Sequence, residues 1–214
     1  MKNWLAITAA LALMTISVGC GSSANVEVID LNTVLDVMVQ TMDQLAETPV
    51  ENATEGENPE DVVAVAESDN AEVTHTFLTT YAKNLNDAKV MSKPVGISMR
   101  ADGAIEGFTD ADGDGAMGSS DKQLFTVEID QERSRLIATD TQNSYHRDHG
   151  FRISPGGLFM GYMLGSMLHR QRASGIAPSR FSNMKMSPSN YHSSAVSKAR
   201  ARSSGGSRSF SSGK

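Results

Sequence analysis

The chain has a single cysteine, Cys20, among its 214 residues. One thiol excludes an intramolecular disulfide framework. The sequence also lacks an apolar run of the roughly 20 residues that a membrane-spanning helix needs. Its two apolar stretches, Trp4 to Val18 and Pro155 to Leu168, both fall short of that. Charge of one sign is missing from two further segments. Glu47 to Glu72 holds nine acids and no base, and Arg170 to Lys214 holds nine bases and no acid. Familiar catalytic signatures are missing as well. There is no GxSxG and no HExxH, which removes the nucleophile elbow and the helix-borne zinc pair. In YHRDHG, His146 and His149 flank Asp148, but a zinc site needs three or four ligands. The chain is accordingly read as not an enzyme.

What is present divides unevenly. From Cys20 to His169, nine Lys or Arg stand against 25 Asp or Glu, a net of −16. The rest of the chain, from Arg170, has a net of +9. An acidic body with a basic tail implies that the two parts meet different partners.

The N-terminus reads MKNWLAITAALALMTISVGCG, with Lys2 ahead of a short apolar core and small residues at its end. That is the layout of an export signal. Ser17-Val18-Gly19-Cys20 resembles the lipobox of bacterial lipoprotein precursors, although position 17 usually carries an aliphatic residue. The resemblance implies that residues 1–19 are removed and that the Cys20 thiol is acylated. It further implies a bacterial cell-envelope location, with Gly21 in place of the inner-membrane retention aspartate directing the protein to the outer membrane. Cleavage after Ala24, at Ser22-Ser23-Ala24, is the alternative; it leaves Cys20 without a role.

Residues 20–29 then read as lipidated cysteine and tether, and 30–150 as a small α+β domain. In DLNTVLDVMVQTMDQLAE, apolar residues recur at helical spacing from Leu31 to Leu45, with Asp30 or Asn32 as cap. Residues 47–72 read as a mobile acidic linker, in which DVVAVAE (61–67) could form a turn of helix. A second amphipathic helix is expected in THTFLTTYAKNLNDAK, before Pro94 changes the rhythm. Val95, Ile97 and Met99 alternate with small or polar residues, and AIEGF, FTVEI and RLIAT follow with turns between them. These predict a four-stranded antiparallel meander with two helices packed on it.

Between the second and third strands lies TDADGDGAMGSSD, residues 109–121. Asp110, Asp112 and Asp114 alternate, Gly115 follows, and Asp121 closes the run. Residues two apart on a curling loop aim their carboxylates at one centre. The stretch resembles an EF-hand-type calcium loop, with Asp110, Asp112, Asp114 and Asp121 at positions one, three, five and twelve. The resemblance implies Ca²⁺, or Mg²⁺, bound also by the Ala116 carbonyl and by a water at Gly118, with apolar Met117 at position eight. Glu is usual at position twelve, so the shorter Asp121 implies weaker binding. Strand-like flanks point to one structural loop rather than a paired sensor. The competing reading is a solvated turn.

PGGLFMGYMLGSML spaces Gly157, Gly161 and Gly165 by four, which on a helix lines them along one face suited to close packing. Residues 151–172 are expected as this helix, packing in the domain or self-associating. Residues 173–214, rich in Ser, Gly and Arg with spaced Tyr191 and Phe210, are expected to be disordered. An exported protein meets little nucleic acid, so the basic tail is expected to bind anionic envelope polymers or lipids. The sequence thus predicts a lipid-anchored envelope protein with a structural or interaction role. A membrane-active or oligomerising protein acting through the glycine face is the second reading. For an envelope enzyme, His146 and His149 would be the first residues to replace.

Overall fold

A computed structural model describes residues 28–46, 70–151 and 158–204. Cys20 with its leader, residues 47–69, Gly157 and Phe210 lie outside the described residues. The architecture is α+β, built on an antiparallel open sheet with strand order β1-β2-β3-β4-β5. The elements are α1 (Leu31–Ala46), α2 (Asn70–Asp87), β1 (Val95–Met99), β2 (Ile105–Thr109), β3 (Gln123–Asp130), β4 (Arg135–Asp140), β5 (His146–Gly150), α3 (Leu158–Ala173), α4 (Ser179–Ser182) and α5 (Tyr191–Ser204).

The first helix starts as its sequence dictates. Asp30 accepts from the Asn32 amide at 3.1 Å and from the Thr33 hydroxyl at 3.2 Å, satisfying a donor that the first turn leaves open. Leu31, Val34, Leu35, Met38 and Met42 are buried on its inner face. α2 begins four residues ahead of the expected stretch, so residues 70–72 of the expected linker are helical, with Glu72 in the first turn where the helix dipole favours an acid. Its Tyr81 hydroxyl donates to the Val34 carbonyl of α1 at 2.9 Å, and Phe77 stacks on Tyr81 with centroids 5.6 Å apart.

Alternation sorts the sheet into two faces. Phe125, Val127 and Ile129 of β3, with Leu136 and Ala138 of β4, join α1, α2 and α3 in one core cluster. The opposite face carries Thr126, Glu128 and Asp130 of β3, which pair with Thr139, Ile137 and Arg135 of β4. Two glycines make room for rings, one on each face. A Cβ at Gly107 would sit 2.1 Å from the Phe125 ring, and one at Gly96 would sit 2.4 Å from the Phe108 ring. The β1–β2 turn needs Gly103, whose φ is +78° and whose Cα abuts the Met167 carbonyl of α3.

The sheet has a fifth strand beyond the expected meander. HRDHG shows no apolar alternation because β5 is an edge whose side chains are satisfied by polar contacts. Arg147 donates to the Asn32 side chain at 2.7 Å, while Asp148 pairs with Arg135 at 2.7 Å. Three open stretches of strand backbone are closed by side chains. Asn86 bonds both the amide and the carbonyl of Val95, at 2.8 and 3.0 Å. Gln171 does the same for Ile129, past the end of β2, at 3.3 and 2.8 Å. The Ser187 hydroxyl and amide bond His146 of β5, at 3.1 and 2.8 Å.

The expected disorder from residue 173 is corrected for residues 173–204, which contain two helices and reach the core. Phe181 and Tyr191 are buried, at 1% and 4% exposure. Composition misled here because a few anchor residues suffice to fix a polar strap. α3 likewise shares the main cluster through Phe159, Met160, Met163, Leu164 and Met167, so packing continues across residue 150.

Candidate metal-binding loop

The aspartate run joins β2 to β3, so strands flank it, as the sequence predicts. Thr109 and Lys122 close its neck: the Thr109 amide donates to the Lys122 carbonyl, and the Lys122 amide to Thr109 Oγ1, both at 2.9 Å. Inside, Asp110 accepts from the amides of Gly113 at 2.9 Å and Gly115 at 3.3 Å. Asp114 accepts from the Ala116 amide at 2.8 Å. Gly115, at φ +72°, supplies the sharp turn that a side chain would resist.

The structure brings three of the four predicted aspartates together. Asp110, Asp112 and Asp114 each offer a carboxylate oxygen, and these oxygens lie within 4.8 Å of one another. Two oxygens bound to one calcium at about 2.3–2.6 Å are at most about 5 Å apart, so the spacing fits a common ion. Asp112 and Asp114 are exposed, and Asp110 is half-buried. The group is therefore a generic acidic cluster open to solvent. Asp121 stands apart from it. Its oxygens accept from the amides of Ala111 at 2.9 Å and Gly118 at 2.7 Å, so it braces the loop. The expected place of Asp121 among the ligands is corrected: both its oxygens are taken by loop amides, and the converging group holds only the other three. Met117, the apolar eighth residue, is 44% exposed. Gly113, Gly115 and Gly118 also satisfy GxGxxG spacing, but a strand follows them, leaving no helix N-terminus to hold a pyrophosphate.

The other predicted residues are scattered. His146 and His149 are three apart on a strand and take opposite faces. His146 Nδ1 lies 3.0 Å from Thr139 Oγ1, and burial lowers its pKa; His149 Nδ1 lies 3.4 Å from Asp36 of α1. They do not converge on one ion or substrate. On α3 the glycines face away from the core, for a Cβ at Gly161 or Gly165 meets nothing within 4 Å. Gly161→Ala and Gly165→Ala should each stabilise the protein by about 0.5–1 kcal/mol through helix propensity, read as a higher urea midpoint. A lower midpoint with a smaller sedimenting species would show instead that the stripe packs against a second copy.

The distal face of the sheet holds a polar site that sequence reasoning missed. Arg135 reaches Asp130 at 2.8 Å and Asp148 at 2.7 Å. Burial acts against its charge, but the hydrogen bonds to Asp148 and Asp130 outweigh this and raise its pKa. Arg133 and Arg135 also donate to the Phe181 carbonyl, at 3.4 and 3.5 Å, which fixes α4 over this face. Beside them Arg180 pairs with buried Glu128 at 3.2 Å. Burial raises the Glu128 pKa, and Arg180 offsets this only in part. No regular spacing joins positions 128, 130, 135, 148 and 180, so only the fold reveals the network. Among the described residues no helix is long and apolar enough to cross a membrane. Comparison with known proteins finds no match, whether to a family model, a curated protein or a solved structure.

Proposed function

We propose that the protein is a lipid-anchored component of the bacterial cell envelope, in the outer membrane. Its acidic α+β domain is stabilised by Ca²⁺, with Mg²⁺ as the weaker substitute, and it serves a structural or interaction role. The anchor reading rests on Cys20 at the end of an export signal. The metal reading is carried by the convergence of Asp110, Asp112 and Asp114 within 4.8 Å. In it, these three carboxylates and the Ala116 carbonyl hold the ion while Asp121 keeps the loop closed. A hard dication suits this all-oxygen donor set, and exposed sites of this kind bind at about 10⁻⁴–10⁻³ M, matched to calcium outside a cell. The cationic tail meets anionic envelope material, and Arg180 is already committed to Glu128.

The test is thermal denaturation of the purified protein in chelator and in calcium. With about 5 mM Ca²⁺ and a Kd near 10⁻⁴ M, linkage supplies about 2 kcal/mol, which raises Tm by roughly 5 °C for a chain of this size. Asp112→Ala should abolish the increment while leaving the chelator Tm unchanged. Equal melting in chelator and in calcium removes the metal reading.

A further inference from the structure

The strap between α3 and α5 is fixed at two posts. Upstream, buried Gln171 bonds both backbone groups of Ile129, and its own carbonyl accepts from the Ile176 amide at 3.0 Å. Downstream, Ser187 bonds both backbone groups of His146, and its carbonyl accepts from Arg147 at 2.8 Å. Between the posts, residues 177–186 arch over the distal face of the sheet. Of these ten only Phe181 is buried; Met184 and Met186 are half-buried, and the other seven are exposed. The Phe181 ring stands apart from the main core cluster. One ring and a few polar contacts are set against the entropy of ordering ten residues, which places the arch at the low-stability end of the fold.

The groups under the arch differ from those of a core. Arg180, half in water, meets Glu128, whose side chain is 5% exposed. Buried Ile137 lies opposite Glu128 in the ladder. Arg133 and Arg135 both donate to the Phe181 carbonyl, at 3.4 and 3.5 Å. The seated segment thus offers a cation, an aromatic ring and a carbonyl, and the face meets each of them. With the arch lifted, the carboxylates of Glu128, Asp130 and Asp148 remain against the guanidiniums of Arg133 and Arg135. Arg100 and Asp102, the other charges that act on Glu128, pair with each other. The bare face is therefore one cation short, and an uncompensated buried carboxylate favours any occupant that restores the charge.

We infer that the arch is an autoinhibitory plug, which opens as a unit between its posts and yields the distal face to a partner's segment carrying an arginine followed by an aromatic residue. Arg180 and Phe181 are the resident copy of that ligand. Gly175, at φ +73°, ends α3 just before the arch and supplies the flexible joint. Because the plug is part of the same chain, it competes at high effective concentration. An external segment binds only in proportion to the open population.

Hydrogen exchange of the full-length protein in rising urea tests the opening. The Phe181 amide, bonded to the Pro178 carbonyl at 3.1 Å, should exchange at a rate that urea below the unfolding midpoint changes by less than about twofold. The Val127 amide of central β3 should accelerate roughly tenfold per molar urea. Calorimetry with the tetrapeptide SRFS, capped at both ends, tests the site. The Phe181→Ala chain should bind it at least about tenfold more tightly than the native chain, because the plug no longer competes. Arg180→Ala, which keeps the ring, should show a smaller gain and serves if Phe181→Ala fails to fold. Adding Glu128→Gln to either should abolish the gain. A Phe181 amide with the urea slope of Val127 overturns the inference, as does equal SRFS affinity, or none, in the native and variant chains. Equal binding of SEFS overturns the charge assignment. A native chain that sediments as a dimer without binding SRFS assigns the face to a second copy's arch and overturns the external partner.

Discussion

A chain cut after residue 172 should melt at least 10 °C below the full-length protein. The cut removes Tyr191 and Phe181, both buried, together with the strap that covers the distal face of the sheet. Tyr191→Ala isolates the larger share. Truncating a buried aromatic costs about 3–5 kcal/mol, equivalent to roughly 10 °C for a domain of this length. Tyr191 also packs against Tyr145, with centroids 4.8 Å apart. Tyr191→Phe keeps the ring and removes only the hydroxyl. It strands the Leu31 amide and the Ile29 carbonyl, at a cost of about 1–3 kcal/mol. Circular dichroism melts of the three chains check the order: truncation lowest, then Tyr191→Ala, then Tyr191→Phe. A truncated chain that melts with the full one would mean that the strap contributes nothing to the fold.

Arg135→Ala should cost about 3 kcal/mol, read as a lowered urea midpoint. The Asp130 side chain is only 1% exposed, and removing one partner of a buried pair leaves an uncompensated charge worth about 3–5 kcal/mol. Arg133 remains 3.6 Å from Asp130, which keeps the loss near the lower end. Arg135→Lys should recover less than half, because one ammonium cannot serve Asp130, Asp148 and the Phe181 carbonyl together. Arg135→Leu combined with Asp130→Leu should recover most of it, since a buried pair is often replaceable by apolar residues of similar volume. A double variant as unstable as Arg135→Ala would show that the pair has a role beyond charge balance.

Regular spacing made much of the fold legible. The apolar repeat from Leu31 to Leu45, the alternation in VGISM and FTVEI, and turn residues such as Asp102-Gly103 report local geometry directly, and α1, α2 and the first four strands follow from such spacing. β5 was hidden because its side chains are paired with α1 and β4 rather than buried as apolar groups. The strap was hidden for a related reason: Phe181 and Tyr191 are two aromatics in a Ser- and Arg-rich stretch, and burial of so few residues leaves no periodic trace. In the loop, the alternation of Asp110, Asp112 and Asp114 predicted their convergence. The place of Asp121 depends on where its carboxylate finds amide donors, which spacing does not specify.

The side chains that close the sheet's open backbone bear on what happens when the protein is crowded. Unpaired strand amides and carbonyls are templates on which another chain can add a strand, the first step toward aggregates. Asn86, Gln171 and Ser187 occupy such sites on β1, β3 and β5. A protein at high concentration collides with its own copies often. In that setting these three polar residues keep neighbouring copies from knitting together, and losing one would show as fibre-like deposits before it showed as a loss of fold.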